Sequence, residues 1–385
     1  MCILQTPNVS RMELSYWEVK TWLSEIDFCI VGSGITGLSC ALALRETHPG
    51  ARILILEKGI FPQGASTKNA GFACFGSMTE ILSDLQTHTE DEIVQLVSDR
   101  WQGIQLLRQR LGDSGIDYKG WGGYEVFLRE ETSLYEECVE EMHRINQLLL
   151  PVFGAPCFQV AENTFGFARV LPKLIVSPRE GQIDTGRMMQ SLLERVGQQP
   201  NPVRILNGVT VEGYEDFGSK VLVKTDRFEF HCRKLLLATN GFAASLGALA
   251  VKPARAQVLL TSPIEGLKVQ GTFHMDAGYY YFRNVGDRLL LGGGRNLDPE
   301  GETTTAFGQT DVIQNRLETL LEEVILPGIK FEVAQRWSGI MGVGNQKKPI
   351  LQKLSENVSC GVRLGGMGIA IGSHTGAELA KLGGL

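Results

Sequence analysis

No Cys-x-x-Cys, no His-Glu-x-x-His and no long uninterrupted apolar run occurs in these 385 residues. Without paired ligand spacing among the six histidines and eight cysteines, no metal site is expected. The cysteines (2, 29, 40, 74, 138, 157, 232 and 360) are scattered, and several sit in apolar runs where a reduced thiol packs as a small hydrophobe. That usage points to a reducing compartment, the cytoplasm. A basic excess is also missing: 37 Lys and Arg stand against 43 Asp and Glu, a net charge of −6, so nothing holds a polyanion and nucleic acid is not expected as main partner. Arg11, Glu13, Glu18 and Lys20 interrupt any secretory h-region near the beginning, so no signal peptide is read there. The longest apolar span, 28–44, contains a glycine loop and is not read as a transmembrane helix.

What is present is ordinary globular material with one sharp signal. A hydrophobic share of 43% over this length supports two or three structural units, each with its own core. Residues 27–31 (DFCIV) form an apolar run ending on Gly32-x-Gly34-x-x-Gly37, and a helix is predicted over 36–46. Gly32 permits the tight turn, Gly34 lets the backbone approach a pyrophosphate, and Gly37 lets the helix pack on the strand. The helix N-terminus then faces the phosphates with its free N–H groups and positive dipole end. A second strand, 51–56, ends on Glu57, where a carboxylate accepts from ribose hydroxyls and repels a 2′-phosphate. Glycines at this spacing also occur in turns without ligand. The strand–helix setting and the acid favour a dinucleotide, FAD or NAD rather than NADP.

Further along, 59–77 (GIFPQGASTKNAGFACFGS) is a small-residue loop whose Ser66 and Thr67 suit a pyrophosphate; a surface loop is the alternative, disfavoured because Phe61, Phe72 and Phe75 are too apolar for a free linker. Residues 79–111 and 133–150 read as helices, 118–128 as a strand or hairpin and 170–176 as extended. Asp184 or Thr185 is placed to cap a helix over 186–196. Segments 203–211, 220–224 and 228–231 are β-rich. A buried strand over 233–238 then stops at Thr239-Asn240-Gly241. Four antiparallel strands are predicted at 255–261, 271–274, 278–284 and 288–292. A helix follows over 310–326, with Val312, Ile313, Leu317, Leu320, Leu321 and Ile325 inward. Near the beginning, Tyr16, Trp17, Val19, Trp22 and Leu23 suggest a packing cap over 1–25.

Taken together, the GSGITG loop, the ILEKG strand end, GASTKNAG, LLLATNGFA and the C-terminal GVRLGGMGIAIG resemble the D-amino-acid oxidase, glycine oxidase and sarcosine oxidase group, from about residue 26 to the end. The resemblance implies an α/β fold: a doubly wound, Rossmann-type FAD-binding domain (26–85, 170–250 and 336–385) interleaved with a mixed, mainly antiparallel-sheet substrate domain (86–169 and 251–335). It also implies that FAD is held by Gly32, Gly34, Ile35, Thr36 and Gly37, by Glu57 and Lys58, and by Ser66, Thr67, Asn69, Ala70 and Gly71. Val209, Thr239 and Gly241 are implied as well, with Gly365, Gly366, Met367, Gly368 and Ile369 at the start of a final helix over 369–382. That helix points its N-terminus at the flavin, where its dipole favours the negative charge of reduction.

The activity so implied is oxidation of a small amine or amino acid, with a hydride passing to flavin N5 and the imine hydrolysing; oxygen or a quinone then takes the electrons. Tyr280 falls where glycine oxidase has a substrate-facing tyrosine, although strand alternation puts Tyr279 and Tyr281 on one face and Tyr280 on the other. All three also suit plain sheet packing. Arg283 follows the alternation of Tyr279 and Tyr281. The group clamps the substrate carboxylate with an arginine, and the aligned position here holds Met341, which cannot form a bidentate clamp. Either another arginine, such as Arg283 or Arg336, takes over, or the substrate lacks a carboxylate near its reacting carbon. Residues 337–349 contain no cysteine to carry the flavin covalently, so FAD is expected to be non-covalent, with Cys74 a packed thiol. Two other readings stand beside this one: a flavin-dependent 2-hydroxy-acid dehydrogenase with His274 as base, and a flavoprotein acting on modified tRNA.

Overall fold

The computed structural model describes residues 12–247 and 250–384. Cys2 and the first eleven residues of the expected cap lie outside them. Strand Ile26–Val31 is the centre of an eight-stranded sheet, in parallel with Ile53–Glu57 on one side and Glu229–Leu237 on the other. Phe28 and Ile30 enter one core, while Ile26, Cys29 and Val31 enter another on the opposite face. An apolar run without alternation is what a parallel strand covered on both faces requires. Arg204–Asn207 continues the sheet beyond Ile53–Glu57, and Val358–Val362 pairs in parallel on the far side of Glu229–Leu237. Because Val31 is level with both Leu56 and Leu237, the carboxyl ends of the three central strands open along one edge. Helix Ile35–Thr47 covers one face and packs against the last helix, Gly368–Leu382, where a side chain on Gly376 would lie 2.5 Å from the Thr36 carbonyl.

A second eight-stranded sheet runs in the order 333–343, 252–261, 288–293, 280–285, 272–275, 123–125, 173–177 and 159–162. Its pairs are antiparallel except for the parallel pair between Thr272–Met275 and Gly123–Glu125. Helix Asp311–Leu320 covers one face over Tyr280, Phe282, Leu289 and Leu291. The other face turns toward the first sheet. The α/β class, with one sheet built on a parallel core and one largely antiparallel sheet, is as the sequence implies.

Several local expectations are corrected. Residues 228–231 and 233–238 are one strand, Glu229–Leu237, half of whose edge pairs with Val221–Thr225 and half with Val358–Val362. The helical stretch 79–111 breaks into Met78–Leu85 and Glu90–Leu111, because Thr89 and Glu92 form a reciprocal cap that starts a new helix. Val312 is 58% exposed, one residue off the Ile313–Leu317–Leu320 stripe that faces the sheet. Of the expected cap only residues 12–25 are described, and most of its apolar side chains there are exposed. A single α turn passes into a π turn at Val19, and of the five predicted apolar contacts Leu23 alone is buried.

Candidate functional site

A cavity of about 670 Å³ runs from the strand tips of the first sheet to the inner face of the second. At the tips, Gly32 has φ +103°, and a side chain on Gly37 would meet the Gly32 carbonyl at 2.0 Å, so both positions require glycine. Ser66 Oγ accepts from the Ile35 N–H at 3.0 Å, which fastens the 64–71 loop to the start of the first helix. Asn69 stiffens that loop, accepting from the Gly71 N–H (2.8 Å) and from Thr185 Oγ1 (2.9 Å) while donating to the Ser66 carbonyl (2.8 Å). Glu57 is buried; it accepts from the Ser33 N–H (3.0 Å), Ser33 Oγ (2.8 Å) and the Gly59 N–H (3.0 Å). A carboxylate has about four acceptor sites. Acceptor capacity therefore remains beyond the bonds from Ser33 and Gly59, and a ribose hydroxyl could use it.

These residues fit a dinucleotide on an observation independent of the motif. Thr36 Oγ1 and Thr239 Oγ1 are buried at the cavity wall without a hydrogen-bond partner, an arrangement that a ligand acceptor or donor would complete. Opposite them, Gly365–Gly368 and Met367, the N-cap residue of the last helix, line the wall, so the positive end of that helix faces the cavity. Lys58 lies with its ammonium 3.4 Å from the Phe242 ring centroid, and burial pulls its pKa below the usual lysine range.

On the sheet side, His274 and Tyr281 are cross-strand partners, with Phe72 set edge-on against both (ring centroids 5.2 and 5.7 Å). Burial pushes the Tyr281 phenol up to about 12, against a smaller opposing pull from the Arg295 charge. Burial alone would favour neutral His274. The Cys74 thiol and the Glu180 carboxylate, its Oε2 3.8 Å from His274 Nε2, outweigh this and raise the histidine well above its usual range. Cys74 Sγ rests 3.7 Å from Met367 Sδ, and burial raises its pKa too.

Of the residues named from sequence, Gly32, Gly34, Ile35, Thr36, Glu57, Lys58, Ser66, Asn69, Ala70 and Gly71 line this cavity. So do Val209, Thr239, Gly241, Met341 and Gly365 to Ile369. Gly37 lies just behind the wall, and the Thr67 hydroxyl is bound to the Pro62 carbonyl at 3.0 Å. Tyr280 faces away, 4% exposed among Phe282, Ile313 and Leu317, while Tyr279 and Tyr281 face the cavity. Arg283 lies outside it: its guanidinium donates to the backbone carbonyls of Ala70, Ile183 (3.0 Å) and Asn284 (3.1 Å). Arg336 pairs with Gln314 and, at 2.7 Å, with Glu318 on the outer helix. Sequence reasoning missed Ser33, Arg295, Lys347, Glu80 and Asp84. Only Ser33, inside the glycine motif, carried a local signal.

The family model described as FAD dependent oxidoreductase matches residues 27–382. Gamma-glutamylputrescine oxidoreductase of Escherichia coli (strain K12) is 23% identical over 387 aligned positions, covering 92% of this chain and 83% of that protein. Among solved structures, glycine oxidase from Geobacillus kaustophilus is similar, with TM-score 0.71 and 21% identity over 92% of this chain and 94% of that one. L-proline dehydrogenase from P. horikoshii has TM-score 0.73 and 15% identity over 93% of each.

Proposed function

The chain belongs to the DAO family of FAD-dependent oxidoreductases, and from that premise we propose that it oxidises the C–N bond of a small amine or amino acid. The observation carrying this reading is the single cavity that joins the dinucleotide-type strand tips to the aromatic face of the second sheet beneath the N-terminus of helix Gly368–Leu382. FAD, held by the strand-tip residues Gly32, Gly34, Glu57 and Ser66, would supply the two-electron acceptor for removal of hydride from the carbon beside the substrate nitrogen, and the imine so formed would hydrolyse in water. The protein's part is placement. Tyr281, Phe72 and Tyr279 give the substrate a largely apolar wall, and Met341, against Gly366, closes it from the side. The helix end opposite favours negative charge as electrons arrive. The proposed FAD unit is 26–85, 170–250 and 336–385 and the proposed substrate unit 86–169 and 251–335, with strand Lys173–Ser177 and most of strand Val333–Val343 from the former pairing into the second sheet.

Non-covalent attachment fits Cys74, the thiol at the cavity wall: it is buried against Met367, and burial raises its pKa, which disfavours the thiolate. Acid precipitation is expected to release all the flavin into the supernatant; flavin retained in the pellet would exclude this attachment. The seven described cysteines are unpaired, which suits a reducing, cytoplasmic setting.

One observation favours a second reading, the oxidation of 2-hydroxy acids: His274 lines the cavity with Nε2 free of any hydrogen bond. Its raised pKa works against this, because an imidazolium beside Glu180 cannot take a hydroxyl proton. Anaerobic mixing of the holoprotein with panels of amines and of 2-hydroxy acids separates the two. Bleaching of the flavin band by amines is expected. Bleaching by hydroxy acids alone would replace this proposal with the second.

A further inference from the structure

A hydride can leave the carbon beside a nitrogen only when the nitrogen lone pair is free to form the C–N double bond, and an alkyl ammonium keeps its proton up to about pH 10. The proton must go to a base, or the site must disfavour the cation. Among the described residues the carboxylates at the cavity wall are Glu57, Glu80 and Asp84, and each is engaged. Glu57 accepts from Ser33 and Gly59 at the strand tips, Asp84 holds the Lys347 ammonium at 2.8 Å, and Glu80 accepts from the Ser77 N–H at 3.1 Å with that ammonium 3.9 Å away.

The aromatic wall offers a positive charge instead of a base. Tyr281, His274 and Glu125 are register partners on three adjacent strands, so their side chains form one row across the inner face of the second sheet. Glu180 reaches over this row: its Oε1 accepts from the Phe75 N–H at 3.1 Å, and its Oε2 lies 3.8 Å from His274 Nε2. Gly123 admits it, since a side chain there would meet Glu180 Oε2 at 1.9 Å. Both members of the pair are buried, where solvent screens little. Burial alone would strip the ring of its proton, but Cys74 and Glu180 prevail and the ring stays charged. Of the other groups around it, Glu125 is taken up by Ser77 Oγ (2.9 Å) and the Thr79 N–H (3.2 Å), and burial keeps the hydrogens on Cys74 and Tyr281. The further cations add to the same field. Lys58 and Lys68 rest on Phe242 and Phe307 at the loop side, and Arg295, after the turn at Gly293 and Gly294 (φ +126° and +77°), rests on Tyr279 at the sheet side.

We propose that this site holds its substrate as the neutral amine and releases the proton to solvent on binding, because the His274 imidazolium, paired with Glu180 in the cavity wall, disfavours an ammonium. This rests on the amine-oxidising reading above and deepens it. The N–H bond that breaks leaves its electron pair on nitrogen, and the proton goes to water; His274 takes no proton from the substrate and forms no bond to it.

The test uses the FAD-loaded protein and needs no turnover, because tert-butylamine has no hydrogen on the carbon beside its nitrogen. Titration calorimetry at neutral pH, in buffers of different ionisation enthalpy, counts the protons released. Wild type is expected to release about one proton per amine bound, and to bind about tenfold more tightly for each pH unit gained below the amine's own pKa. His274→Asn removes the charge, and Glu180→Gln removes the partner that sustains it; each should release about half a proton or less and flatten the pH dependence. The neutral isostere tert-butanol should bind all three proteins alike, which separates lost charge from lost fold. Amine bound by wild type without proton release, or variants releasing as many protons as wild type, would overturn the proposal. Should proton release follow His274 while amine panels fail to bleach the flavin, the oxidation reading falls and the electrostatic site stands. Bleaching by amines that bind without releasing a proton gives the reverse.

Discussion

Thr36 and Thr239, both at the cavity wall, carry buried hydroxyls without a hydrogen-bond partner, and the proposed dinucleotide would supply one. Thr36→Val is therefore expected to leave the apoprotein as stable as before, or up to about 1 kcal/mol more so, while weakening FAD roughly tenfold. Apoprotein melting and flavin fluorescence titration read the two effects separately; unchanged FAD affinity would remove this threonine from the site. Gly37 behaves oppositely. A methyl group there meets the Gly32 carbonyl at 2.0 Å, so Gly37→Ala should destabilise the protein by about 1–3 kcal/mol even without ligand, seen as a lower urea midpoint. Both residues belong to the same motif, yet one is proposed to act on the cofactor and the other holds the strand–helix contact.

Among the elements, the helix after the second sheet shows how far periodicity reaches. Ile313, Leu317 and Leu320 lie on the buried stripe, and Val312, adjacent in sequence and equally apolar, lies in solvent. Leu317→Ala should cost about 2–5 kcal/mol, and Val312→Thr less than about 0.5 kcal/mol, in chemical denaturation. If both cost the same, the placement of this helix is wrong. Asp184 illustrates a signal that was fully local: it caps helix Thr185–Gly197 by accepting from the Arg187 N–H at 2.9 Å. The three tyrosines illustrate the limit. Alternation separates Tyr280 from Tyr279 and Tyr281, but which face meets the cavity depends on helix Asp311–Leu320 having taken the other.

At the scale of the molecule, Arg283 joins the two sheets. Its strand belongs to the second, and the Ala70 and Ile183 carbonyls it binds belong to segments leading to and from the first. Burial lowers its pKa to about 10, so it remains charged at neutral pH. Arg283→Met leaves several buried carbonyls without a donor and should cost roughly 3 kcal/mol or more, with weaker FAD retention; thermal unfolding that does not move would contradict this bridging role. Asp216 ties hairpin Val211–Thr225 to the 355–357 turn, accepting from Ser355 Oγ, the Asn357 N–H and Nδ2, and the Gly218 N–H. Burial opposes its ionisation, but these hydrogen bonds prevail and lower its pKa from 3.8 to about 2. Because the folded value is the lower one, its contribution is complete above about pH 4 and disappears as the pH falls toward 2. Asp216→Asn should flatten the loss of stability in that window, measured by urea unfolding against pH; an unchanged acid limb would show that this carboxylate is not coupled to folding.

The strand-tip half of the cavity was legible because its determinants are consecutive: a glycine turn, a helix start and an acid at a strand end are short-range features whose backbone needs restrict the residue type. Of the sheet half, Met341, His274 and the tyrosine strand were singled out, but not which of them meet. Tyr281, His274, Phe72, Arg295 and Met341 come from separate strands and loops, and their meeting depends on strand register, on the face each hairpin presents and on two glycines that redirect the chain before Arg295. Local residue choice governs local conformation, whereas which side chains face one another across a cavity follows only from how the two sheets pack.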